Sequence, residues 1–102
     1  MTITNKADGT KRTIALAGRL DTVTSPELEA ELNGLPADVT ELVLDFSELD
    51  YISSAGLRVL LSAQKRMNAR GGMKVIGVNE TVGEVFEITG FCDILTIEPK
   101  EE

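Results

Sequence analysis

A change of hydrophobic period inside one stretch, Leu42 to Met67, sets the frame for the whole chain. Leu42-Val43-Leu44-Asp45-Phe46 is a short β-branched and aromatic run bounded by polar residues, which predicts a strand buried on both faces. After Ser54 the spacing becomes helical. Leu57, Leu60, Leu61 and Met67 form an apolar stripe, while Arg58, Lys65, Arg66 and Arg70 point mostly elsewhere, so an amphipathic helix to about Ala69 is expected. Ser53 and Ser54 therefore sit where a strand-derived loop turns into a helix. A hydroxyl there can accept from the free N–H groups of the first turn, which is the N-cap role. The same corner also favours an anion, because first-turn amides and the helix dipole present partial positive charge. On local chemistry alone either serine is first of all a cap.

The alternation of strand and helix extends to both sides. Thr2–Ala7 and Arg12–Ala17 flank Asp8-Gly9-Thr10, a hairpin signal, and Gly18-Arg19-Leu20-Asp21 leaves the second strand. Ser25-Pro26-Glu27 reads as an N-cap with proline at the first helical position, and Leu28 and Leu32 give a narrow apolar stripe ended by Gly34 and Pro36. Gly71-Gly72 stops the long helix, and Met73–Val78 is a further strand. Asn79 can cap a third helix built on Val82, Val85, Phe86 and Ile88 and ending at Gly90. Ile94–Ile97 reads as the last strand, with residues 98–102 a charged, frayed tail. There is no repeat or linker, so residues 1–102 form a single domain. The fold class is α/β: an N-terminal β-hairpin, then alternating strands and helices in a mixed, mostly parallel sheet with the helices packed on it.

Composition narrows the function classes. With 102 residues, 42% apolar and 26% charged, the chain supports one globular core. No apolar run approaches the roughly 20 residues of a membrane span, and Met1–Lys6 lacks the apolar block of a signal peptide. The one cysteine, Cys92, is expected to be a packed thiol in a reducing, cytoplasmic compartment. The absence of histidine removes Ser-His and Cys-His nucleophile pairs and the commonest transition-metal ligand. A formal charge of −7 disfavours direct binding to nucleic acid and favours a partner with a basic face.

Asp21 and Asp45 are the carboxylates expected at strand ends near Ser54, where open α/β sheets place ligands. They could serve acid–base chemistry or magnesium in a small enzyme or nucleotide-binding protein. No nucleophile activator accompanies them, and Gly71-Gly72 lacks the spacing and lysine of a phosphate loop. No catalytic residue, cofactor or metal is therefore assigned. The basic row of the long helix reads as a solvated face, except that Arg58 lies one helical turn after Ser54 and within reach of its corner.

Asp45 to Leu61, with Tyr51-Ile52-Ser53-Ser54-Ala55-Gly56-Leu57-Arg58 at its centre, closely resembles the signature of STAS domains, and specifically of bacterial anti-sigma factor antagonists. Gly18–Asp21, Gly71–Val75 and Val85–Phe91 resemble further blocks of that family in the same order. The resemblance implies a STAS-like fold and a regulator, not an enzyme. In that family the unphosphorylated antagonist binds an anti-sigma factor that is also a serine kinase and so frees the sigma factor. Phosphorylation of a loop serine ends binding, and a serine phosphatase restores it. Alignment on Gly56-Leu57 implies Ser54 as the acceptor. The family often has aspartate just before the acceptor, where this chain has Ser53, which makes Ser53 the secondary candidate. Asp21 matches a family position that contributes to the kinase contact, and Ser53, Ser54, Gly56, Leu57 and Arg58 complete the implied partner-binding set. A monomer without membrane attachment is the expected form. The alternative is a STAS docking subunit of a lipid-transport or stress-sensing complex that works without phosphorylation.

Overall fold

In the computed structural model, which describes residues 1–100, β1 (Thr2–Asp8) and β2 (Lys11–Leu20) form an antiparallel hairpin. Gly9 closes its turn at φ 62°, a left-handed conformation that glycine adopts without steric cost. β3 (Glu41–Ile52) runs parallel to β2, and β4 (Gly72–Ile76) and β5 (Ile97–Glu98) continue the parallel part. The sheet order is β1-β2-β3-β4-β5, so each strand lies beside its sequence neighbour. The connections are α1 (Ser25–Asn33), α2 (Ser54–Asn68) and α3 (Glu80–Thr89), the last followed by a 3-10 turn at Phe91–Asp93.

Period-2 alternation decides what each strand buries. Ile14, Leu16, Leu42, Leu44, Phe46, Met73 and Val75 share one cluster with Leu28 and Leu32 of α1, Leu57, Leu60 and Met67 of α2, and Val82 and Phe86 of α3. All three helices thus contribute to one core. Residues of opposite parity, including Thr13, Val43, Asp45, Lys74 and Ile76, line a depression that residues 98–100 border. Val43 is nonetheless buried, as the continuous apolar run in β3 implies.

Several expectations need correction. β3 does not stop at Phe46 but runs on to Ile52, because its pairing with β2 survives two register shifts. One β3 residue is extra between Ala15↔Asp45 and Ala17↔Glu48, and another between Gly18↔Leu49 and Arg19↔Tyr51. The strand-derived loop therefore shrinks to Ser53 alone. α1 begins at Ser25, with Thr24 in the cap position, and the Ser25 hydroxyl donates to the Asp21 carbonyl. Ile88 is 85% exposed and so does not belong to the buried stripe of α3. Cys92 is exposed, not packed. The last strand is Ile97–Glu98, since Phe91–Asp93 coils; of the expected segment Leu95 is buried in the core and Ile97 packs against it half-buried. Glu98 and Lys100 are tied down. Lys74 Nζ lies 3.5 Å from Glu98, and Lys100 Nζ lies 2.9 Å from Asp45 Oδ2. Residues 101 and 102 of the expected tail lie outside the described residues.

Candidate functional site: a serine corner beside the Asp21 turn

β2 and β3 end side by side at the pair Leu20↔Ile52, and the Ser53 N–H donates to the Leu20 carbonyl at 2.9 Å. Asp21 and the two serines thus leave the sheet at the same place. Ser53 is extended (φ −99°, ψ 175°) and caps α2, but its hydroxyl accepts from the Gly56 N–H at 3.5 Å, a weak cap. Ser54 is the first residue of α2 and is exposed, and its hydroxyl makes no hydrogen bond among the described residues. It sits where first-turn amides lack intrahelical partners and the helix dipole is positive.

The residues that follow divide by helical phase. Gly56 is buried, and a Cβ there would stand 2.8 Å from Leu20 Cγ and 2.9 Å from Ile52 Cγ1, so glycine lets α2 start against the ends of both strands. Leu57 is 6% exposed and belongs to the core. Both face inward in the free chain. Arg58 is exposed and lines a shallow depression of about 250 Å3 between α1 and α2 with Thr22, Ser25, Pro26, Glu29, Ala55 and Val59. Of the basic row, Arg66 donates to Asn33 Oδ1 at 2.9 Å and Arg70 to the Pro36 carbonyl at 2.9 Å, clamping α2 to the end of α1 and the segment after it. Arg58 and Lys65 make no hydrogen bond or ion pair among the described residues.

Asp21 turns its carboxylate onto its own chain. Oδ1 accepts from the N–H groups of Val23 (3.0 Å) and Thr24 (3.1 Å). The Thr24 hydroxyl accepts from the Asp21 N–H at 2.9 Å and donates to the Arg19 carbonyl at 2.7 Å. The Thr24 N–H above all, then the Thr24 hydroxyl, the Val23 N–H and Arg19, hold the Asp21 carboxyl below its ordinary value against the opposing effect of burial. Among the described residues Oδ2 has only Arg19 Nε at 3.9 Å, an exposed contact of little energetic weight. The Arg19 guanidinium lies over the Tyr51 ring, 4.4 Å from its centroid, so the β2 exit is braced from a second side.

Asp45 is not part of this corner. It pairs with Ala15 and Ile76 well inside β3, and its carboxylate is engaged by Ser47 and Lys100. The two candidate carboxylates therefore do not converge, and no group of three or more His, Cys, Asp or Glu side chains among the described residues could hold a metal ion. Two features of the corner escaped sequence reasoning. The Asp21–Thr24 turn was readable in principle, because aspartate followed three residues later by threonine is a side-chain-to-backbone turn pattern. The Arg19–Tyr51 contact had no local signal, since it depends on a shifted register between distant strands.

The chain matches the STAS domain family over residues 2–102. BtrV of Bordetella bronchiseptica, provisionally named an anti-sigma factor antagonist, is 38% identical over 89 residues, covering 85% of this chain and 77% of its own. The anti-sigma-B factor antagonist of Staphylococcus aureus is 30% identical over 86 residues, covering 82% and 80%. In fold, the chain resembles an anti-sigma factor antagonist from Mycobacterium paratuberculosis (TM-score 0.87, 23% identity, covering 97% of this chain and 86% of that one). It also resembles the Bacillus cell fate determinant SpoIIAA in its phosphorylated form (TM-score 0.78, 19% identity, covering 99% and 93%). With the family model matched across residues 2–102 and a relative 38% identical over most of the chain, the protein belongs to the STAS domain family.

Proposed function

We propose that this protein is an anti-sigma factor antagonist whose docking is switched off by phosphorylation of Ser54. The observation that carries the reading is the contrast between the two serines. The Ser53 hydroxyl is turned into the cap of α2, whereas the Ser54 hydroxyl stands exposed at the start of the same helix and makes no hydrogen bond among the described residues. That contrast supports Ser54 over Ser53 as acceptor. The names of the relatives support an anti-sigma factor as partner.

In the proposed cycle the unmodified protein binds an anti-sigma factor that is also a serine kinase and so releases the sigma factor. The kinase transfers the γ-phosphoryl group of ATP to Ser54 Oγ, the hydroxyl proton leaves to a kinase base, and ADP departs. A phosphatase hydrolyses the ester to return the hydroxyl and inorganic phosphate. The protein is substrate and ligand in this cycle, not catalyst. Phosphorylation adds about −1.5 to −2 charges where the helix start favours an anion, so the fold itself is undisturbed. A partner that must bury the same spot meets bulk, desolvation and repulsion from its own acids. A loss of about 3 to 4 kcal/mol by that route weakens binding several hundred-fold.

Incubation with the cognate kinase and ATP, followed by intact mass and site mapping, tests the proposal. One phosphate on Ser54, absent in Ser54→Ala, is expected. Modification confined to Ser53 would refute the site, and no uptake at all would favour a docking module that works without phosphorylation.

A further inference from the structure

We propose that Val23 is an apolar anchor for the anti-sigma factor, and that Asp21 serves docking by building the turn that presents Val23 and not by offering its charge. The inference rests on the reading above and deepens it. Val23 is 81% exposed. A single exposed apolar side chain is ordinary on a protein surface. What sets this one apart is how firmly its backbone is held. Its own N–H is bound by Asp21 Oδ1, as is the N–H of Thr24, and the Ser25 N–H donates to the Asp21 carbonyl at 2.8 Å. The Thr24 hydroxyl ties the same turn back to the Arg19 carbonyl.

The turn sits at the serine corner. Thr22 and Ser25, on either side of the Val23–Thr24 tip, line the depression shared with Ala55 and Arg58, and Ala55 adjoins Ser54. The other large exposed apolar side chains, Ile88 and Ile94, lie where α3 has run back toward the start of β5. Val23 is therefore the one exposed large apolar group, among the described residues, next to the proposed acceptor. A partner that covers Ser54 reaches it without any ordering of the turn, so little of the gain from burial is lost to immobilising the loop.

The role of Asp21 follows from where its oxygens point. Oδ1 accepts from two backbone N–H groups, and among the described residues Oδ2 faces only Arg19 at 3.9 Å. An asparagine keeps an oxygen for those N–H groups and loses the charge, whereas alanine loses both.

Titration calorimetry of the unphosphorylated protein into its anti-sigma factor separates these roles, with amide hydrogen exchange on the free variants as a second readout. Val23→Ala is expected to bind about tenfold more weakly, the equivalent of withdrawing one valine side chain from a buried interface. Asp21→Asn should bind within about twofold of wild type, as the loss of an exposed charge allows. Asp21→Ala should bind about tenfold more weakly, with faster exchange at Val23 and Thr24. Wild-type affinity in Val23→Ala overturns the anchor. Equal losses in Asp21→Asn and Asp21→Ala, with the two amides still protected, overturn the positioning role. If the wild type fails to bind, the proposed function falls and takes this inference with it; if the wild type binds and the variants do not differ, this inference alone falls.

Discussion

Asp45 is the acid that the interior of the sheet most directly controls. Burial acts to raise its pKa, but the Lys100 ammonium and the N–H and hydroxyl of Ser47 outweigh it, so the carboxyl titrates below its ordinary value of 3.8. A carboxylate whose folded pKa is depressed stabilises the fold above its unfolded pKa, and that contribution is lost as pH falls through the lower folded value. The urea midpoint of the wild type should therefore fall on acidification below about pH 3.8, and Asp45→Asn should flatten that limb while lowering the midpoint at neutral pH. Equal acid slopes in the two proteins would assign the effect elsewhere. Gly56 gives a second residue-scale test. An exposed helical glycine replaced by alanine gains up to about 1 kcal/mol, but here the new Cβ meets Leu20 and Ile52 below 3 Å. Gly56→Ala should instead lose about 1–3 kcal/mol in urea unfolding, since overpacking a filled core is costly. The sequence placed Leu57 in the apolar stripe of α2, as its burial bears out, but did not say which way Gly56 faces. Facing depends on the phase of α2, which is fixed only once Ser53 is known to be its cap.

At the scale of elements, the two helix starts differ in strength. Asn79 accepts from the Val82 N–H at 2.9 Å and donates to the Leu49 carbonyl at 2.6 Å, joining α3 to β3, whereas the Ser53 cap is long at 3.5 Å. Asn79→Ala should cost about 1–2 kcal/mol and Ser53→Ala about 0.5 kcal/mol, both read from chemical denaturation. Ser54→Ala should change stability by no more than about 0.5 kcal/mol, which makes it a clean variant for binding work. The hairpin, α2 and the start of α3 were legible because each carries a local signal: Asp8-Gly9, a helical stripe, and Asn79. The far end of β3 was not. Ser47, Glu48 and Asp50 break the apolar alternation, and they remain in the strand only because two extra residues are absorbed by bulges against β2. β5 was misplaced for a related reason. Apolar content in Ile94–Ile97 does not reveal that Phe91 begins a 3-10 turn and delays the pairing until Ile97.

For the molecule as a whole, one arrangement links the fold to the proposed switch. Three helices share a core with one side of a five-stranded sheet, and the long central strand delivers Ser53 and Ser54 to the surface next to the Asp21 turn. The corner is stiff: strand pairing ends one residue before the cap, Gly56 presses the helix onto Leu20 and Ile52, and Arg19 stacks on Tyr51. A phosphate added there has no need to move the fold in order to act, because its effect falls on whatever must cover the site. The decisive comparison is the affinity of the anti-sigma factor for the Ser54-phosphorylated and unphosphorylated protein, with a thermal melt of each form. Binding several hundred-fold weaker after phosphorylation, at a melting temperature within about 2 °C of the unmodified protein, is the expected result. Equal affinities, or a loss of binding that arrives together with a collapse of the melt, would contradict it.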